Sequence, residues 1–411
     1  MNLELPAKSS KTNVRKLVAV ALLFSNTLAW FYVLNASLLD LIVRNPRFDL
    51  LYTYLGTILF YGFAVSSGII GSIICERVER RKFLWSWLTF GLLMTFSLVF
   101  FEGLEFSLLS VSLLGIAFGL GFPTCQAFLT ESTSVEKRGR IAGVVIFTTF
   151  TIVITILLAI QILQLGIVEI ALICLTLKAT SFLALFLDPC ERERGATKTW
   201  SGVVFSRGFV SYAVPWLIFQ LANGITLFGR LSPEVAAVHD MGTVLEFFAT
   251  IFAALLSGFL ADRFGRKQPI LIGLIMLGVA YAFFGIVASP ESYLLYITVE
   301  GAAWGLIAVS YMLTVLGDLS SGSGSKERFY ALGGLLIPLL TLTVFSVVQE
   351  WSGFSLPANS LSQLLSIVVL LSVIPVFRAP ETLPEAKLRA RKLMDHIKKV
   401  GKLVEKTSEG Q

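Results

Sequence analysis

The sequence predicts an all-α, polytopic membrane protein with twelve transmembrane helices in two pseudo-symmetric six-helix bundles. Three observations lead there. Apolar residues fill 55% of the 411 positions and charged residues only 15%, more oil than one soluble core of this length hides. The apolar residues come in runs of about 20, the length a helix needs to cross a bilayer. A single offset of 186 positions lays one half of the chain on the other.

The twelve runs have approximate limits 16–43, 51–74, 83–101, 106–129, 141–163 and 165–187 in the first half, and 208–229, 241–261, 269–287, 292–316, 329–350 and 361–378 in the second. They are continuous rather than alternating, which excludes a closed barrel. Residues 1–15 are polar, and helix 1 is too long for a signal-peptide core, so no cleavage is expected. Residues 16–187 form the first bundle and 208–378 the second. The charged segment 188–207, "DPCERERGATKTWSGVVFSR", links them. Residues 379–411 form a basic tail, with Ala386, Ala390, Leu393, Ile397, Val400 and Val404 at helical spacing. The tail reads either as an amphipathic helix lying on an anionic leaflet or as a solvated end.

The duplication rests on particular letters. "SIICERVERRK" around Glu76 matches "GFLADRFGRKQ" around Asp262; "GIAFGL" from Gly115 matches "GAAWGL" from Gly301; Trp30 matches Trp216, all at the same offset.

Basic residues set the orientation. With the N-terminus in the cytoplasm, 29 of the 33 Lys and Arg fall on the cytoplasmic side. Only Arg44, Arg47 and Arg230 lie outside, and Lys178 lies within helix 6. Both termini are therefore expected inside a plasma membrane, and the net charge of +6 reflects topology, not nucleic-acid binding. The four cysteines, Cys75, Cys125, Cys174 and Cys190, fall in the membrane or the cytoplasm and suggest neither a disulfide framework nor a metal site. No metal or cofactor is expected. No Walker-type ATP loop is present, and no His-rich, Ser/His/Asp or paired-carboxylate constellation points to an enzyme.

The stretch "GFLADRFGRKQP", from Gly258, resembles the loop signature of the major facilitator superfamily, G-x-L-a-D-R-x-G-R-K. The first-half copy departs from it: Ser72 replaces the first glycine, Glu76 the aspartate and Glu79 the second glycine. Weaker marks are the Glu131, Arg138, Gly139 arrangement and "PETLPE" from Pro380, which is similar to the stretch after helix 12 in sugar and organic-ion carriers. Helix 5 lacks the glycine-proline motif of similar drug–proton antiporters, which counts against drug export. The resemblance implies two rocking lobes with a cavity lined by helices 1, 4, 7 and 10. It also implies a conformational latch drawn from Glu76, Arg77, Arg80, Glu131, Arg138, Arg140, Gly258, Asp262, Arg263, Gly265, Arg266 and Lys267. In that pattern Asp262 caps helix 5 near Arg140 and Glu76 caps helix 11 near Arg328, and Arg263, Arg266 and Lys267 lie within reach of Asp262. The alternative for the charges is a loop that merely keeps them inside.

Polar residues within the spans supply the cavity candidates. Glu300 of helix 10 has Trp304 and Tyr311 on its face. A carboxylate there exchanges protons, pairs with a cationic substrate, or bonds a neighbouring helix. Tyr212, Trp216, Gln220 and Asn223 form a stripe on helix 7, helix 1 offers Asn26 and Trp30, and helix 4 offers Gln126. Such a set suits a small organic ligand, although amides also join membrane helices. Glu246 is a second proton candidate or a residue reaching the outer interface, and Lys178 is expected to snorkel or to find a carboxylate. The leading expectation is a monomeric secondary transporter of a sugar or organic ion, coupled to protons. The alternatives are a ligand-binding sensor without flux and an exporter of drugs or metabolites.

Overall fold

In lipid a backbone amide has no partner but another backbone group, so each apolar run closes its own helical ladder. The computed structural model describes residues 14–38, 50–98, 104–188, 190, 192 and 195–384. The N-terminal residues 1–13, the loop with Arg44 and Arg47, and the tail from residue 385 lie outside the described residues.

The first half carries α1 (Val14–Val33), α2 (Leu50–Arg77), α3 (Arg80–Ser97), α4 (Leu104–Gly119, resumed as Phe122–Glu131), α5 (Arg138–Leu163) and α6 (Ile167–Leu187). The second carries α7 (Arg207–Ile225), α8 (His239–Phe264), α9 (Lys267–Val287), α10 (Pro290–Ala308), α11 (Ile337–Ser352) and α12 (Ala358–Arg378). π-Helical turns Val309–Val315 and Ala331–Leu336 extend α10 towards Leu319 and join Lys326–Tyr330 to α11. Among the described residues eleven helices are long and apolar enough to span a bilayer. The exception is α3, whose 18 residues open with Arg80, Arg81 and Lys82. The fourth run is not one helix either. It breaks after Gly119 because Gly121 packs directly on the Trp87 indole and Pro123 restarts the ladder.

Packing repeats with the sequence offset. The contacts of α2 with α4, α1 with α6 and α3 with α6 recur as α8 with α10, α7 with α12 and α9 with α12. Two seams join the halves, α5 with α8 and α2 with α11. One apolar core draws mainly on residues 19–190 and the other mainly on 203–379. Within each half a glycine pair brings two backbones together. Gly115 and Gly119 lie on the carbonyls of Phe60 and Ala64; Gly301 and Gly305 lie on those of Glu246 and Thr250. All four matches obey the 186 offset, so the duplication extends from sequence to contact.

A side chain at position 301 would collide with the Glu246 carbonyl. Gly301→Val is expected to destabilise the protein by on the order of 1–3 kcal/mol, read as a lower thermal midpoint. Gly62→Ala, which meets nothing within 4 Å, leaves the midpoint unchanged.

Candidate functional site

The ends of α2, α4, α8 and α10 and the starts of α5 and α11 meet at one end of the molecule, and the conspicuous charges gather there. Asp262 closes α8, where the helix dipole disfavours an anion, and it is fully buried. Its Oδ1 accepts the Gly139 amide at 2.8 Å and its Oδ2 the Arg140 amide at 3.0 Å. Those N–H groups begin α5 of the other half, lack intrahelical partners, and form the positive end of that helix. The approach requires bare backbone. A Cβ at Gly139 would stand 2.6 Å from both Asp262 Oδ1 and the Gly258 carbonyl. Gly265 then turns the chain at φ +110°, open to glycine and strained for other residues.

Arg266 joins this anion to a second. It donates to Asp262 at 2.7 Å, to Asp318 at 2.9 Å and to the Val135 carbonyl at 2.5 Å. Burial works against its charge, but Asp318 and Asp262 outweigh it and raise the guanidinium pKa above the ordinary arginine value. Arg138 of the first half also pairs with Asp318. A related cluster forms on the other seam. Arg80 reaches Glu131 at 2.5 Å and Glu327 at 2.8 Å, Lys326 reaches Glu131 at 3.3 Å, and Arg192 of the linker reaches Glu327 at 2.9 Å. Each cluster draws on both halves of the chain.

Other candidates in the charged set behave differently. Glu76 pairs with the Arg328 side chain, its Oε1 accepting from Nε at 2.8 Å, and is not drawn to the amides that begin helix 11. Arg140 presents only its amide firmly; its side chain is 55% exposed and 3.6 Å from Asp262. Arg77 is exposed. Arg263 is exposed over the Phe259 and Phe264 rings, and the Lys267 ammonium bonds the Phe377 carbonyl. Of the three bases expected near Asp262, Arg266 supplies its buried ion pair. Sequence reasoning missed Asp318, Lys326, Glu327 and Arg192. It also missed Glu381, which accepts the Arg266 amide at 2.9 Å, and Thr382, which donates to Asp318 at 3.2 Å. The repeat held a signal for one of them: Arg80 and Arg266 are 186 apart, and 187 separates Glu131 from Asp318.

Towards the opposite end the halves part around a largely aromatic cavity of about 230 Å³. Trp216, Gln220, Asn223 and Trp304 line it, with Tyr32 and Met312. At its base Trp216 stacks on Tyr311 at 4.5 Å and donates its indole N–H to the Gly333 carbonyl at 2.9 Å. The Gln220 Nε2, both amide atoms of Gln126 and the Tyr311 hydroxyl are buried without a hydrogen-bond partner. Glu246 faces an adjoining part of this cavity and also a chamber inside the second half, where Glu300 lies.

Six cavity candidates do not line it: Asn26, Trp30, Gln126, Tyr212, Glu300 and Tyr311. Asn26 bonds Thr180 at 3.0 Å and Trp30 bonds Thr95 at 3.1 Å, both inside the first half. Tyr212 donates to the Pro380 carbonyl at 2.8 Å, near the charged end. Their spacing is right for one helix face, but that face is met by helices of the same half. Glu246 lies two turns into α8 and points inward, not towards the interface. Lys178 neither snorkels nor meets a carboxylate. Its ammonium is buried 4.0 Å from the Trp30 ring centroid and 4.8 Å from that of Trp87. It is held by the indole faces.

Asp318 is shared by two buried guanidiniums, so Asp318→Asn leaves both short of an anion. A loss of about 3–5 kcal/mol is expected, measured as a fall in thermal midpoint. Lys82→Met, which breaks an exposed pair with Glu79, changes it by less than about 1 kcal/mol.

Comparison with known proteins completes the picture. The family model of the Major Facilitator Superfamily matches residues 19–315. A search of curated proteins gives no match. Among solved structures the chain is similar to the crystal structure of the human organic anion transporter MFSD10 (TETRAN), with TM-score 0.61 and 14% identity, over 88% of this chain and 99% of that one. At that identity the likeness is one of fold. The match over most of the chain, on a fold of this kind, shows that the protein belongs to the Major Facilitator Superfamily.

Proposed function

We propose that the protein is a secondary active transporter that moves a small organic solute by alternating access, with protons as the coupling ion. One observation carries the reading. Cross-half ion clusters pin one end of the molecule, while the halves part towards the other end around a cavity on whose wall the Gln220 amide nitrogen has no hydrogen-bond partner. Breaking the clusters at one end while the halves close at the other would pass the cavity, and the unpaired Gln220 amide on its wall, from side to side. By the distribution of Lys and Arg the pinned end faces the cytoplasm.

The cavity chemistry narrows the solute. A sugar needs a partner for nearly every hydroxyl, and the wall offers few polar groups beyond Gln220 and Asn223. Indoles, phenyl rings and Met312 favour an amphipathic organic ion. Glu246 and Glu300 have no ion-pair partner among the described residues, which makes them the sites where a proton can be taken up and released.

Proteoliposomes test this directly. In a panel of organic ions and sugars one class should accumulate against its gradient when a pH difference is imposed. Glu300→Gln is expected to reduce that driven accumulation by about tenfold or more. Wild-type accumulation in the variant would remove the coupling role. Asp262→Asn should shift the population towards a cytoplasm-open form, read as greater labelling of a cysteine introduced at Gly317. Unchanged labelling would remove the latch role.

A further inference from the structure

We infer that the chamber inside the second half is a binding site for an alkylammonium group, so that the solute is an organic cation. This names the substrate class of the proposed transporter and rests on that reading for its part in flux, although not for binding. The chamber has a volume of about 280 Å³ and lies among α7, α8, α9, α10 and α12, apart from the space between the halves. His239, Tyr293, Tyr296, Phe284, Glu246 and Glu300 line it.

Two features of this wall point to the ligand independently. The first is charge. Glu300 is buried and accepts from the Tyr281 hydroxyl at 3.5 Å, which does not neutralise it. Glu246 is half-buried, and its carboxylate has no hydrogen bond or ion pair among the described residues. The described Lys and Arg residues of α7–α12 sit at the other end of the molecule, the nearby loop carries only exposed Arg230, and the base on the wall, His239, is bonded to the Tyr293 hydroxyl. Buried carboxylates ordinarily have a counter-cation, and here no Lys or Arg among the described residues supplies one.

The second feature is the ring lining. Tyr296 stacks on Phe284 with centroids 5.3 Å apart and planes at 9°, and Tyr293 stands edge-on to Phe284 at 5.5 Å. His239 bonds the Tyr293 hydroxyl at 2.7 Å and holds that ring at the rim. Ring faces beside carboxylates recognise a weakly hydrated, bulky cation, whose charge is satisfied by both. A bare metal ion wants a shell of oxygens instead, and an anion would face two carboxylates with no Lys or Arg beside them among the described residues. Glu246 faces both the chamber and the central cavity. An ammonium seated against it can therefore extend an apolar body towards Trp304 and Met312.

Radiolabelled tetraethylammonium, whose charge no pH change removes, is the probe. It is equilibrated with purified protein in lipid nanodiscs at fixed pH. Wild-type protein should bind one equivalent saturably, and Glu300→Gln and Glu246→Gln should each weaken binding by about tenfold or more. Glu169→Gln, which neutralises an exposed carboxylate on α6, should leave it unchanged. Benzenesulfonate should not displace the probe. Monodisperse elution and thermal midpoint identify any variant that fails to fold, and half-buried Glu246 keeps the test intact if Glu300→Gln is such a variant. Absence of saturable binding, retention within twofold in the folded variants, or equal displacement by benzenesulfonate overturns the site. Flux is measured separately. Binding without flux sinks the transport reading and keeps the chamber, and flux without binding does the reverse.

Discussion

The Asp262 carboxylate is wrong for its own helix and right for another. At the negative end of α8 it is repelled, while at the positive end of α5 it satisfies two amides that have no other partner in the dry seam. Intramolecular caps ordinarily stabilise the helix that carries them. This one stabilises a contact between two halves, and it disappears if the halves separate by more than a hydrogen bond's reach. Gly139 and Gly258 exist at their positions for the same reason, since either side chain would hold the backbones too far apart. The charged arginine Arg266 completes the site by covering the face of the carboxylate that the amides leave open.

The duplication explains both the second seam and its difference from the first. Ser72 stands where Gly258 stands in the other half, and Ser325 corresponds to Gly139. With a side chain on both strands of contact, α2 and the start of helix 11 are denied the same close approach. Glu76, one methylene longer than Asp262, meets the long Arg328 side chain and bridges the gap that backbone contact closes on the first seam. One seam is thus joined by carboxylate to helix dipole and the other by carboxylate to guanidinium. The first depends on backbone position and the second tolerates side-chain rearrangement, so the two are unequal partners in any movement of the halves.

How much of this was legible follows the same physics. Long apolar runs and the 186 offset expose the helices and the bundle organisation, because lipid leaves the backbone no alternative. The signature loop exposes Asp262, Gly265 and Arg266. What sequence could not supply is which neighbour a helix face meets. Trp30 and Trp216 are equivalent by offset, yet one bonds Thr95 within its own half and the other borders the central cavity. Asp318 answers to Glu131 only with the offset slipped by one residue, and Glu327 lies in a stretch without a repeated letter pattern, so its partners alone reveal it. Lys178 misleads most, since a buried ammonium held by two indoles has no counterpart in charge counting.

The two ends of the molecule treat polarity in opposite ways, and the contrast bears on how a solute would control it. At the charged end nearly every buried ionic group has a partner, but the desolvation of such pairs offsets most of their attraction. A latch of this composition is expected to favour its closed form by only a few kcal/mol, however many ion pairs it contains. On the cavity wall the Gln220 amide nitrogen stays unpaired, costing about 1–3 kcal/mol until something bonds it. In the proposed cycle a solute that satisfies that group in one arrangement of the halves has the differential affinity needed to move a nearly balanced equilibrium. A stronger latch, made of apolar packing in place of ion pairs, would hold the halves against any ligand, and the choice of charges at that end keeps the balance within a ligand's reach.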